Sequence, residues 1–346
     1  MNHFKKKQLK VLTWHVHGNY LYYLTQANCL FYLPVTSPTK PGYYGKTKSF
    51  PWGENVKEIP AEDIKNIDID CIIFQSNFNP ANPTHDYLAE QMEILSFYQR
   101  THVPKLFIEH DPPRRHPTDT RHPLYDSTIT LVHVTAFNQL MWDSGTTATT
   151  VIEHGVMTPS TTTYTGEINK GIVVINNIHK RGRRLGLDIY EKVKNEIPLD
   201  LIGMGSEEIG GLGEITPLEL PSVIAKYRFF FHPARYTSLG LSVLEAMLTG
   251  LPIVGLATTE LPTIITNGKN GYIHTDIDYL IGKMKTLLLD KNMAMRLGKE
   301  AKKTAAERFS ITRFAADWEQ LIEDTVLDTK LLTNIKKMRG VQTITL

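Results

Sequence analysis

The chain has 346 residues, with 38 Lys and Arg against 36 Asp and Glu, 41% hydrophobic residues and two cysteines. That length suits two domains, the formal net charge of +2 lacks the basic field of a dedicated nucleic-acid binder, and the composition excludes a disordered chain or a small disulfide scaffold. Cys29 and Cys71 lie in apolar surroundings without a metal-ligand spacing, so reduced core thiols are expected and a zinc site is not.

The N-terminus MNHFKKKQLK runs into VLTWHVHG rather than into the hydrophobic region and cleavage site of a signal peptide. No apolar run approaches the roughly 20 residues that span a bilayer, so a cytoplasmic protein is expected. The lysines Lys5, Lys6 and Lys7 read either as a solvated start or as a peripheral contact with anionic lipid head groups.

Short apolar runs then recur, each ending in a polar or glycine-containing turn and followed by a helical pattern. They are VLTWHVHG (11–18), DCIIFQS (70–76), PKLFIEH (104–110) and TITLVHVT (128–135). After the Thr-rich stretch MTPSTTTYTGEINK the alternation restarts with KGIVVINN (170–177), LDLIGMG (199–205), YRFFFHP (227–233), LPIVGLA (251–257) and GYIHT (271–275). Strands alternating with helices imply parallel sheets covered by helices. Two Rossmann-like domains are therefore predicted, over 1–160 and 161–310, joined near 155–168. The run ITRFAADWEQLIEDTV puts Phe314, Trp318, Leu321 and Ile322 on one stripe at helical spacing, which predicts a closing helix over 311–327 and leaves 328–346 as a tail.

The most informative segment is HPARYTSLGLSVLEAMLTGLPIVG, from His232 to Gly255, which reads as strand, loop, helix, glycine stop and strand. Leu241, Leu244 and Leu248 fall at helical spacing, Gly250 is placed for a left-handed cap, and Pro252 prevents continuation. Small side chains near Leu239–Ser242 leave first-turn N–H groups open to an anion, and with the positive end of the helix dipole they make a diphosphate site. Glu245, one turn on, offers two oxygens to vicinal ribose hydroxyls. The spacing Ser242 to Glu245 also fits a capping box, in which Glu245 does no more than satisfy a backbone donor. On residues alone both readings stand.

From Thr237 to Val254, TSLGLSVLEAMLTGLPIV resembles the donor segment E-G-F-G-L-x-x-x-E-A-M-A-x-G-x-P-V-V of the retaining GT-B glycosyltransferases of family 4, the glycosyl transferases group 1 type. The resemblance implies an α/β GT-B fold, two Rossmann-like domains facing each other across a cleft. It implies transfer of a sugar from a nucleotide-diphosphate sugar, UDP- or GDP-linked, to a hydroxyl of a carbohydrate or lipid-linked acceptor, in polysaccharide or glycolipid synthesis. Glu245 then holds the ribose, and Thr237, Ser238, Leu239, Gly240, Leu241 and Ser242 form the donor segment. Thr237 stands where the family has the glutamate that reads the donor sugar, which leaves the sugar undefined and opens an alternative: a catalytically degenerate sugar- or nucleotide-binding protein or partner subunit.

Further matches follow in the same way. In HKRGRRLG (179–186) Lys180 takes the place of the family's diphosphate-binding Arg, with Arg184 or Arg183 nearest to its Lys. By itself this basic loop also reads as a solvated face or an RNA contact; its place after a strand favours phosphate, and no nucleic-acid partner is expected. Gly203 opens the nucleotide-facing loop GMGSEEIGGLGEI, a weak dinucleotide fingerprint. FIEHDPP implies that His110 touches the donor sugar, WHVHGNYLYYL corresponds to an acceptor loop with His17, Gly18 and Asn19, and His154-Gly155-Val156 stands for the family's Asn-Gly-Val. The catalytic set implied is His110, Lys180, Arg184 and Glu245. Thr259-Glu260-Leu261-Pro262-Thr263 departs from the family's Gly-Gly-x-Pro-Glu loop.

Charge stabilisation by a helix N-terminus, cations and a closed cleft needs no metal, so no metal or cofactor is expected beyond the nucleotide-sugar co-substrate. Asp68 and Asp70 look like a metal-binding pair but precede a strand instead of following its carboxyl end. The aromatics Trp14, Tyr20, Tyr22, Tyr23, Tyr43 and Tyr44 suit core packing or stacking on an acceptor sugar.

Overall fold

The computed structural model describes residues 7–75 and 87–338. Lys5 and Lys6, on which the lipid-contact reading rests, and the last residues of the predicted tail, 339–346, lie outside the described residues. Among the described residues no helix is long and apolar enough to cross a membrane.

Two parallel sheets organise the chain. The first contains β1 (Lys10–Thr13), β2 (Leu30–Val35), β3 (Val56–Pro60), β4 (Cys71–Gln75), β5 (Lys105–Glu109), β6 (Ile129–His133) and β7 (Thr149–Val151), in the spatial order β3-β2-β1-β4-β5-β6-β7. The second contains β8 (Ile168–Val174), β9 (Leu199–Ile202), β10 (Tyr227–His232), β11 (Ile253–Leu256) and β12 (Gly271–His274), in the order β12-β11-β10-β8-β9. Every ladder in both sheets is parallel.

Parallel strands covered by helices on both faces read as continuous apolar runs, and the inner strands do. β4 and β10 are buried at every position, as CIIFQ and YRFFFH. Three strands of the first sheet escape the sequence pattern. β2 carries Pro34, β3 (VKEIP) is largely exposed at the sheet edge, and β7 has three half-buried residues. β3 and β7 are the edge strands, where one side of the backbone faces no ladder and charge is tolerated, and Pro34 of β2 lies beyond that strand's last pairing with β1 at Tyr32, so the apolar pattern fades toward the ends of the sheet.

β1 leaves the sheet at Thr13 and the chain turns into a helix over Gly18–Leu24, whose Tyr20 to Leu24 are all buried. The closing helix runs Ile311–Met338, past the expected end at 327, because no glycine or proline interrupts 327–338 and helix formers continue. It packs on the Gly18–Leu24 helix and on β4. The contact is specific: Phe314 and Trp318 are fully buried, the Tyr20 and Phe314 rings meet edge to face at 5.5 Å, and a Cβ at Gly155 would collide with Phe314. The Val156 amide donates to the Phe309 carbonyl at 3.0 Å, and the Asn28 amide to Glu319 Oε1 at 2.7 Å. Cys29 and Cys71 are buried free thiols, and burial pushes Cys29 up to about 12, so both stay protonated and inert.

Removing the Trp318 side chain leaves a cavity where the closing helix meets the first domain. Trp318→Ala is expected to lower unfolding stability by about 3–5 kcal/mol, read from urea denaturation.

Candidate active site

The carboxyl ends of the two sheets face a shared cavity of about 490 Å³. His17, Gly18, Asn19 and Tyr20 line it from the first domain. Val174 to Asn176, Arg181, Gly203, Met204, Glu214, His232, Thr237, Gly240 to Ser242 and Glu245 line it from the second. Of the residues expected from sequence, the fold thus gathers His17, Gly18, Asn19, Gly203, Thr237, Gly240, Leu241, Ser242 and Glu245. Ser238 and Leu239 are buried beneath this wall and do not line it.

The helix over Leu241–Thr249 follows β10 and ends at Gly250 with φ of 105°, a left-handed conformation that favours glycine. Its N-cap is Gly240, and among the described residues no side chain caps it. Ser242 Oγ donates instead to the Val174 carbonyl at 3.3 Å, so the capping box is not formed. Glu245 is buried and reaches across the domains: Tyr23 Oη donates to its Oε1 at 2.7 Å and Asn19 Nδ2 donates to the same oxygen at 3.1 Å. Burial raises the Glu245 carboxyl above the usual range, while these two hydrogen bonds pull it back. Asn19, expected on the acceptor side, and Glu245, expected on the donor side, are therefore in direct contact.

The cations are arranged differently from the expectation. Asn177, at φ of 51°, opens a single turn over Ile178–Arg181, and it is Arg181 that reaches the cavity. Lys180 has a side chain 66% exposed and lies 3.8 Å from Glu208. Arg183 is 76% exposed and pairs with Asp188 at 2.6 Å, a carboxylate it shares with Arg235. None of Lys180, Arg183 and Arg184 lines the cavity. Consecutive side chains on a helical turn point about 100° apart, so a run of four cations has to divide between the cleft and solvent, and sequence spacing does not say which way it divides. Arg184 is half-buried, donating from Nη1 to the Tyr236 carbonyl at 3.4 Å. Burial, then Arg114 and Arg181, pull it down to about 10.

His110 lies behind the cavity wall. Its ring packs against His17 at 4.1 Å and edge-on to Tyr20 at 4.7 Å, and its Nε2 is 3.3 Å from Gln75 Oε1. Burial, then His17 and His154, hold it well below the usual histidine range. His154 and His232 are both buried and pushed down to about 4, chiefly by burial. Sequence spacing missed Arg181, His232, Glu214 and the role of Tyr23, since none of them stands in a periodic pattern; Tyr23 was visible only as one aromatic among several.

The acidic and histidine residues that resembled ligand sets are engaged locally. Asp68 pairs with Lys10 at 3.1 Å, and Asp70 accepts from the Lys10 amide at 2.9 Å. In the 110–123 loop Asp111 pairs with Arg114 at 2.5 Å, His122 pairs with Glu109 at 3.0 Å, and His116 accepts from the Asp119 amide at 3.0 Å. Among the described residues no group of three or more His, Cys, Asp and Glu is arranged to hold a metal ion.

Residues 204–304, which include the Leu241–Thr249 helix and Glu245, match the family described as Glycosyl transferases group 1. The matched residues lie within the second domain. It is similar to sulfoquinovosyl transferase SQD2 of Arabidopsis thaliana, 30% identical over 156 residues, which covers 40% of this chain and 30% of that protein. The chain spans about a third of the length of the curated relatives it matches. The whole fold is similar to sucrose-phosphate synthase from Thermosynechococcus elongatus, with a TM-score of 0.64 at 15% identity over 92% of this chain and 99% of that one. It is also similar to HepE of Anabaena in complex with UDP, with a TM-score of 0.60 at 14% identity over 93% of this chain and 100% of that one. The fold of this chain is therefore GT-B, as the sequence resemblance implied.

The buried histidines give the cleft walls an acid sensitivity. Their folded pKa values lie below the roughly 6.5 of an unfolded histidine, so stability is full above that value and is lost as pH falls toward about 4. The thermal midpoint is expected to stay level above pH 6.5 and to drop between about 6.5 and 5, before ordinary carboxylates titrate; scanning calorimetry across that window checks it.

Proposed function

We propose that this chain is a retaining glycosyltransferase that moves a sugar from a UDP- or GDP-linked donor to a hydroxyl of a carbohydrate or lipid-linked acceptor, in the cytoplasm and without a metal ion. One observation carries the reading: the uncapped helix start at Gly240–Ser242, the buried carboxylate of Glu245 and the Arg181 guanidinium all meet one cavity. A volume of about 490 Å³ suits a nucleotide sugar, within the roughly 300–1,000 Å³ of small-molecule sites.

Each part answers a demand of the chemistry. As the bond to the anomeric carbon breaks, negative charge gathers on the leaving diphosphate, and free N–H groups at a helix start with the positive end of its dipole stabilise it. Arg181, which lines the cavity, adds fixed positive charge in the place the sequence reading gave to Lys180 and Arg184. Glu245, an acceptor of two hydrogen bonds, suits the vicinal hydroxyls of a ribose. Gly18 and Asn19 face this wall from the first domain, where an acceptor enters, and neutral His110 braces His17 from behind. The UDP in the HepE structure belongs to that protein and supports a nucleotide donor here by likeness of fold.

Thr237 favours a second reading, because it lines the cavity where the family's sugar-reading glutamate is expected. A binding protein without turnover fits that departure. A panel of UDP-, GDP- and ADP-sugars separates the two. The enzyme raises its melting temperature with one donor and releases the nucleoside diphosphate when an acceptor is added, whereas the binding protein shows the shift without the release. For the enzyme, Arg181→Ala is expected to lower kcat/KM by at least about tenfold, with Arg183→Ala within about twofold of wild type. Glu245→Gln, which keeps the shape and removes the charge, is expected to weaken donor binding by about tenfold, roughly 1.4 kcal/mol, in calorimetric titration.

A further inference from the structure

The segment after β9 supplies a part of the cavity wall that the diphosphate and ribose leave unused. Gly203 and Met204 open it, and Glu214, Ile215, Pro217 and Leu220 return along the same cavity. Its backbone is tied together at both ends. The Gly203 amide donates to the Gly213 carbonyl at 2.9 Å, and the Gly213 amide donates at 2.9 Å to Oγ of the buried Ser206. The Met204 amide donates to Asn176 Oδ1 at 2.9 Å, and its carbonyl accepts from the Asn177 amide at 2.7 Å. The point at which Glu214 leaves this loop is therefore fixed.

That point lies past the ribose position. The helix Leu220–Ile224 packs on the helix Leu241–Thr249, which carries Glu245. From Glu245 the lining passes to Leu220 and then along the chain through Pro217 and Ile215 to Glu214. Met204 on this wall is 43% exposed, and Ile215 and Pro217 are half-buried. Apolar surface left open to a cavity suits the faces of a flat ring, and a thioether suits an aromatic one. Glu214 is exposed, and among the described residues its carboxylate accepts no hydrogen bond and makes no ion pair. A carboxylate only accepts, and in a cleft that takes an anion it is unfavourable unless the ligand brings donors to it.

We propose that Glu214 reads the base of the nucleotide and selects guanine, which narrows the donor to a GDP-linked sugar. This rests on the donor-site reading above. Guanine alone among the common bases sets two donors side by side, the ring N1–H and the exocyclic amino group, at the spacing of two carboxylate oxygens. Uracil holds its single N–H between two carbonyl acceptors. Adenine and cytosine each place an amino group beside a ring nitrogen that accepts, so a lone pair would face the carboxylate. Both bonds to guanine are charge-assisted, whereas any other base leaves one carboxylate oxygen without a donor.

Calorimetric titration of the full chain with GDP, inosine diphosphate, ADP and UDP tests this. The wild type is expected to bind GDP at least about tenfold tighter than UDP or ADP. It is expected to bind GDP about fivefold tighter than inosine diphosphate, whose base is guanine without the exocyclic amino group. Glu214→Ala is expected to weaken GDP by about tenfold and to leave UDP no weaker than in the wild type, whereas a loop that merely collapses weakens both. Glu207→Ala, an exposed neighbour in the same segment that does not line the cavity, is expected to leave every affinity within about twofold. If the wild type binds UDP or ADP as tightly as GDP, or inosine diphosphate as tightly as GDP, Glu214 does not select guanine and the donor-site reading stands without it. A preference for GDP that survives Glu214→Ala overturns the role of Glu214 equally. If the wild type binds none of the four, the donor-site reading falls and takes this one with it.

Discussion

Phe314 rests on the bare backbone of Gly155, and the geometry of the cleft depends on that contact. The chain crosses from one sheet to the other at 155–156, and the helix that closes the fold begins where the Val156 amide is bound by the Phe309 carbonyl. Because no side chain separates Phe314 from the crossing, the closing helix lies close enough for Phe314 to meet Tyr20. Tyr20 belongs to the Gly18–Leu24 helix, and that helix carries Asn19 and Tyr23 to Glu245. Packing at one glycine thereby sets the distance between the walls on which the proposed chemistry depends.

Legibility in the sequence follows the same physics. Inner strands such as CIIFQ and YRFFFH are apolar on both faces because helices cover both, and they stand out in any reading. β3 exposes Lys57 and Glu58 and ends in Pro60, so nothing in its composition separates it from a loop until its partner strand is known. The helix at Leu241 was legible through Gly250 and Pro252, residues whose backbone needs are local. Whether Glu245 capped that helix or faced a ligand depended on Asn19 and Tyr23, more than 200 positions away in the chain, and no local pattern carries such a pairing. The cations of 180–184 are a third case: composition located the basic loop, while one turn of helix decided that Arg181 rather than Lys180 enters the cavity.

Charge in the cleft is divided by burial. Histidines set into its walls are held neutral, since burial there would strip an imidazolium of its hydration. Guanidiniums near its mouth keep their charge because arginine retains its proton even when half-buried among like charges. On the wall where the diphosphate is proposed to lie, fixed positive charge therefore comes from the Arg181 guanidinium and not from the histidines.

On the proposed donor-site reading, the Glu245 carboxyl, raised by burial and pulled back by the Tyr23 and Asn19 hydrogen bonds, also makes nucleotide binding a proton-coupled event. Ribose hydroxyls that donate to it favour its ionised form, so a bound nucleotide lowers its pKa and expels whatever fraction of a proton it held. By linkage, affinity for the nucleotide then rises with pH across the interval between the free and the bound carboxyl. Below that interval the cleft holds a protonated acid, a donor facing hydroxyls that need an acceptor.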